Sequence, residues 1–195
     1  MLKKKLSEIA TLQTGLVLNR KEARCDEDTV KYYKKVSMRF LNEYGVLERD
    51  DLNIFASTEK LDPSLLTHAN DILVKLFTPV FPTLVTEETE GMVIPSQLAV
   101  IRVFDERVLP EYLRYYLSTP EVSELMLSIE GWRSQRTIKV GTFAEIEIPI
   151  PPIEKQRIIA NLAKTDLTRR RLYTELIEEQ SKLTTLEIQK YIGGK

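Results

Sequence analysis

Cysteine and histidine each occur once in this chain of 195 residues, and glycine only seven times. One thiol, Cys25, cannot close an internal disulfide, and with His68 as the lone imidazole there is no ligand cluster at zinc spacing. A Cys25/His68 nucleophilic pair is set aside, because background usage supplies one of each in a chain this long. Among so few glycines there is no phosphate-cradling loop. A nucleophile elbow and a convincing pair of carboxylates are missing too, which leaves phosphoryl and acyl transfer without machinery. No apolar run reaches the roughly 18 residues of a membrane span, and "MLKKKLSEIATLQTG" puts no apolar core of signal-peptide length behind its basic cluster. The expectation is a cytoplasmic protein that contacts no membrane and holds no structural metal.

What the chain does have is enough apolar material, 43% of its residues, to bury a core, and a length that fits one ordinary domain plus an appendage. Its formal net charge of -1 hides segregation. Residues 1–39 carry 10 Lys/Arg against 5 Asp/Glu, residues 40–130 carry 6 against 16, and residues 131–195 carry 12 against 8. If the two basic segments meet in the fold, an anionic protein shows one basic face to phosphates. Charge alone is explained as simply by solvated surface.

Along the chain, "LSEIATLQTG" (6–15) reads as a short helix, with Ser7 as N-cap, Leu6, Ile9 and Leu12 at helical spacing, and Gly15 as the stop. "VKYYKKVSMRFL" (30–41) reads as a strand. "NDILVKLF" (70–77) and "PTLV" (82–85) form a strand pair, and "MVIPSQLAVIRVF" (92–104) supplies one or two more strands. The period then changes: Leu113, Tyr116 and Leu117 mark one helix, and Pro120 opens a second carrying Val122, Leu125, Met126 and Ile129. "TFAEIEIPIP" (142–151) is a last strand, with Ile146, Ile148 and Ile150 on one face.

Pro151 and Pro152 then end the sheet abruptly and fix where the next element starts. From Glu154 to Tyr191 there is neither glycine nor proline. Ile158, Leu162, Thr165, Arg169, Leu172, Leu176, Glu179, Leu183, Leu186 and Lys190 follow alternating steps of four and three. An unbroken helix of that length spans about 55 Å, longer than a domain of about 150 residues is wide, so much of it projects and its stripe calls for another helix. The expected fold class is α+β, a mixed α/β body over residues 1–152 with more strand than helix. A long coiled-coil helix over 153–195 follows it.

The order of these features resembles the specificity subunit of type I restriction-modification enzymes, in which a target recognition domain is followed by a long conserved-region helix. "KLSEIATLQTG" resembles the opening helix of that family. "HANDILV" resembles its Gly-Asp-Ile-Leu strand with Asn70 in place of the glycine, and "LPEYLRYYLSTPEV" its helix beside the domain. "GWRSQRTIKVGTFAEIEIPIPPIEKQRIIANL" is similar to its Gly-x-x-x-Gln-x-x-Ile segment, Pro-Leu-Pro-Pro turn and Glu-x-Gln-x-x-Ile helix start. Family members usually carry two recognition domains and two spacer helices in one chain about twice this length; here there is one of each.

The resemblance implies a non-catalytic subunit that reads one half of a bipartite site in double-stranded DNA. It also implies methyltransferase and restriction subunits as partners, and S-adenosylmethionine, ATP and Mg would belong to those subunits. On that basis Arg20, Lys21, Lys34, Lys35 and Lys139 are phosphate candidates, while Arg133, Ser134, Gln135 and Arg136 offer the donors and acceptors that base edges require. Gln135 has an equal claim as a structural residue. A chain with one spacer helix would work as a homodimer through Ile158, Leu162, Leu172, Leu176, Leu183 and Leu186. Two other readings share these features: a stand-alone dimeric repressor, and an assembly protein, such as a silent cassette or decoy, that holds methyltransferase subunits without reading DNA.

Overall fold

The computed structural model describes residues 2–47, 53–77, 79–130 and 138–193. A four-stranded antiparallel sheet forms the centre. Its order runs from β2 (Ala10–Thr14) through β7 (Leu98–Val103) and β5 (Ile72–Lys75) to β6 (Thr83–Leu84). Two small antiparallel pairs flank it: β1 (Lys3–Lys5) with β8 (Glu147–Pro149), and β3 (Lys31–Lys34) with β4 (Ile54–Ser57). The helices are α1 (Pro110–Leu117), α2 (Pro120–Glu130), α3 (Val140–Ala144) and α4 (Ile153–Ile192).

The central strands are apolar on successive residues because both faces of the sheet are covered. Ile72, Val74, Ala99 and Ile101 join Leu113, Leu117, Val122 and Phe143 in a core against the helices. Leu73, Leu98 and Val100 point the other way, into a core with Val36, Leu41, Val85 and Ile94. A third cluster, Leu16, Tyr33, Phe55, Leu61 and Val93, seats the β3–β4 pair. The body is therefore mixed α+β, strand-rich, with a long terminal helix, as its periodicity implies.

Three local expectations need correction. Residues 6–15 are a single 3-10 turn, Leu6–Glu8, followed by β2. Leu6 and Ile9 do share a core, but the segment from Ala10 onward lies along the otherwise open edge of β7, and the ladder Ala10↔Val103 to Thr14↔Ala99 outweighs helical propensity. Gly15 is no helix stop: a Cβ there would lie 2.1 Å from the Ile94 carbonyl oxygen, so only glycine lets that crossing chain pass. The strand expected over 30–41 is confined to Lys31–Lys34, with a 3-10 turn at Met38–Phe40. Likewise the last strand shortens to Glu147–Pro149, because Val140–Ala144 coil into α3 to bury Phe143, while Ile146 and Ile148 still face the core.

Asn70 takes a positive φ of 70° at the turn into β5. Asparagine tolerates this left-handed conformation better than other side chains, which explains how it replaces the glycine of the similar motif.

Candidate nucleic-acid interface

The β3–β4 ribbon gathers the N-terminal cations. β4 is flanked on one side by β3 and on the other by the segment after the 3-10 turn Leu18–Arg20, through Ala23 N to Ala56 O (2.9 Å) and Thr58 N to Lys21 O (2.9 Å). Arg20, Lys21 and Arg24 thus border one edge of the ribbon, with Lys31, Lys34 and Lys35 along the other. Arg20, Arg24 and Lys31 are exposed; Lys21, Lys34 and Lys35 are half-buried. Lys21 is partly neutralised by Glu59 at 2.8 Å.

Strand alternation separates the two tyrosines. Tyr33 is core: its hydroxyl accepts from Leu61 N at 2.9 Å, and the Lys31 ammonium lies 4.9 Å from its ring centroid. Tyr32 faces outward, as do Val30 and Ile54, all more than half exposed. The Tyr32 hydroxyl donates to Asp26 at 3.1 Å. Lys34 shares this outward face with Tyr32, Val30 and Ile54, Lys31 lies on the Tyr33 side, and the other cations line the two edges. An exposed apolar and aromatic face bordered by cations suits phosphates beside sugar and base edges. Arg24 and Lys31 were not singled out from the sequence, although both stand in its basic stretches "NRKEAR" and "KYYKK".

Lys139 is exposed but lies apart, at the start of α3, next to Ile138 in the helix-side core. Arg133, Ser134, Gln135 and Arg136 fall outside the described residues. Of the acidic "EETE" run, Glu90 has a local duty, accepting from Ala69 N at 2.6 Å.

The second element of the site is α4. Its 40 residues extend about 60 Å at 1.5 Å per residue. The helix is rooted by Gln156, which is 0% exposed: its Oε1 accepts from Leu109 N (2.9 Å), and its Nε2 donates to Arg107 O (2.7 Å) and Pro151 O (2.8 Å). Tyr112 braces the same junction by donating to Pro149 O at 2.7 Å, and burial pushes its phenol pKa up to about 12. Ile159, Ala163 and Leu167 are half-buried, and from Thr168 onward every described residue is exposed. Ile158, Leu162, Leu172, Leu176, Leu183 and Leu186 are each 54–67% exposed. For a leucine-rich stripe that is a surface without its cover. No described helix is both long and apolar enough to cross a membrane.

Sequence reasoning quoted Gln156 within a helix-start motif but missed its task, and it missed Arg114 altogether. That arginine is nearly fully buried in α1, in the cleft beside the root of α4, and burial lowers the pKa of its guanidinium.

Comparisons place this architecture. No curated protein matches the sequence. The HsdS subunit from Thermoanaerobacter tengcongensis is similar in structure, with a TM-score of 0.67 and 19% identity over 97% of this chain and 47% of that one. The S subunit of a type I restriction-modification system from M. genitalium gives 0.56 and 18%, over 97% and 45%. A chain from a structural study of the assembly and conformational transition of the type I R-M system gives 0.62 and 19%, over 95% and 43%. The chain thus spans a little under half the length of these structures. The family described as "Type I restriction modification DNA specificity domain" matches residues 1–178, from β1 into the projecting part of α4, and the chain belongs to that family.

Proposed function

We propose that this chain is a DNA-reading specificity subunit with one recognition domain, residues 1–152, and one spacer helix, residues 153–195. It reads half of a bipartite site and does no chemistry itself. Methyl transfer and cleavage belong to methyltransferase and restriction subunits, which bring S-adenosylmethionine, ATP and Mg. Phosphates are held by Arg20, Lys21, Lys34 and Lys35 with Arg24 and Lys31 beside them. The observation that carries this reading is the exposed, partly apolar β3–β4 ribbon with cations along both edges, on a chain of the DNA specificity family. Lys139, Arg133, Ser134, Gln135 and Arg136 remain proposed DNA-binding residues on a separate segment.

The uncovered stripe of α4 supports self-association, so the working form is a homodimer through Ile158, Leu162, Leu172, Leu176, Leu183 and Leu186. Two copies of one domain then read two inverted copies of one half-site. The test is co-expression with the methyltransferase subunit of a type I system, followed by mapping of methylated adenines. A bipartite palindrome is expected. Unlike half-sites with no second specificity chain present, or methyl transfer by the purified chain alone, refute the proposal. Absence of salt-dependent DNA affinity would instead identify an assembly protein.

A further inference from the structure

We infer that α4 encodes the register in which it pairs with a second copy: in an antiparallel pair, Arg169 of each helix lies against Glu179 of the other. This rests on the homodimer reading above and goes further, because it assigns a role to the two charged residues that interrupt the apolar stripe.

The stripe maps onto itself when reversed about residue 174. In that register Ile158 meets Lys190 of the partner subunit, Leu162 meets the partner's Leu186, Thr165 meets the partner's Leu183, and Leu172 meets the partner's Leu176. Arg169 then faces the partner's Glu179, and two-fold symmetry makes that pairing twice. The alternatives fail on charge. In a parallel in-register pair each residue meets its own copy, so Arg169 faces the partner's Arg169 and Glu179 the partner's Glu179. Sliding the antiparallel pair by one heptad places Arg169 against the partner's Leu186 or Leu172 and Glu179 against the partner's Leu176 or Leu162. Both slides leave Arg169 and Glu179 opposite leucine in mid-seam, which costs far more than burying them paired, whereas the symmetric register leaves only one charge, that of Lys190 in the last turn of α4, opposite an apolar residue. Charged groups in a seam set register and partner choice in this way.

Within one chain both side chains are available. Arg169 pairs with half-buried Asp166 at 2.5 Å and Glu179 with Lys182 at 2.5 Å, yet Arg169, Glu179 and Lys182 themselves lie on the open surface of α4, where such pairs hold weakly and exchange readily. The seam leucines around them have no cover within the chain.

The test uses the full chain with Cys25, an exposed thiol, changed to serine. Leu162→Cys and Leu186→Cys are purified separately, then oxidised alone and mixed. A disulfide in the mixture but in neither variant alone is expected, and a Leu162→Cys chain that cross-links to itself overturns the register while leaving the dimer reading standing. In sedimentation, Arg169→Glu and Glu179→Arg should each weaken self-association by about tenfold or more, since like charges then meet in the seam. The double variant, and an equimolar mixture of the two single variants, should return to within about threefold of the parent. A double variant as weak as either single one overturns the pairing. A parent chain monomeric at tens of micromolar overturns the dimer reading and the register with it.

Discussion

Gln156→Leu tests how α4 is fixed to the body of the chain. The substitution keeps the volume of a side chain that is 0% exposed and deletes all three of its hydrogen bonds, leaving Leu109 N–H, Arg107 C=O and Pro151 C=O without that partner. An unpaired buried donor costs about 1–3 kcal/mol, and carbonyls, with two lone pairs, fall at the low end. The three together come to about 4 kcal/mol, and the apolar gain of leucine returns about 1, for a net loss of about 3 kcal/mol. In a chain this size each kcal/mol moves Tm by about 2–4 °C, so a fall of roughly 6–12 °C is expected. Near-UV circular dichroism of the tyrosines reads the body rather than the exposed helix. Gln156→Glu supplies the sign. A carboxylate there faces two carbonyl oxygens in a buried site, so its folded pKa rises above the unfolded value of about 4.3. The stability held by the protonated form is complete below that value and is lost as pH rises through the folded pKa, so the deficit against the parent should be small near pH 4 and large at pH 8. A leucine variant that melts within 2 °C of the parent, or a glutamate deficit that ignores pH, refutes the assignment of Gln156 as the anchor.

Replacing Arg20 and Lys35 by alanine should lower the slope of log affinity for duplex DNA against log salt by up to about 0.9 for each phosphate that is no longer neutralised, whereas Lys164→Ala on α4 should not; equal effects in filter-binding titrations would dismiss the ribbon as the DNA face. Leu176→Asp with Leu183→Asp should give monomers in sedimentation with the near-UV spectrum of the body intact, and persistence of the dimer would place its interface elsewhere. Gly45→Ala meets a φ of 69° and sets a methyl group 2.9 Å from the Arg114 guanidinium, so a loss of about 1–2 kcal/mol should appear in denaturant unfolding. The Asp105 carboxyl is held well below its usual pKa by bonds from Arg107 and from Lys4 of β1, so its contribution is present above about pH 4 and is lost as pH falls further; Asp105→Asn should flatten the acid limb of the stability profile.

Several elements were determined by the sequence alone. The proline pair and the glycine-free run after it dictate α4, because nothing local can stop a helix there and its stripe at steps of four and three needs no tertiary help to form. The strands β5, β6 and β7 and the helices α1 and α2 were legible for a similar reason, since their period and punctuation agree with the fold they join. What only the tertiary structure decided was which competing local signal wins. Residues 10–14 have helical spacing but lie as a strand, because β7 offers a ladder whose bonds no isolated segment can anticipate. Tyr32 and Tyr33 are alike in sequence, yet pairing with β4 turns one outward and buries the other. The basic ribbon itself is a tertiary product: Arg20 and Lys35 are distant along the chain and meet only because β4, from beyond both, pairs between their segments. Gln156 shows the same division. The sequence places it in the first turn of a helix, but its value as an anchor exists only once Arg107, Leu109 and Pro151 converge on it, and convergence of distant backbone groups has no period to read.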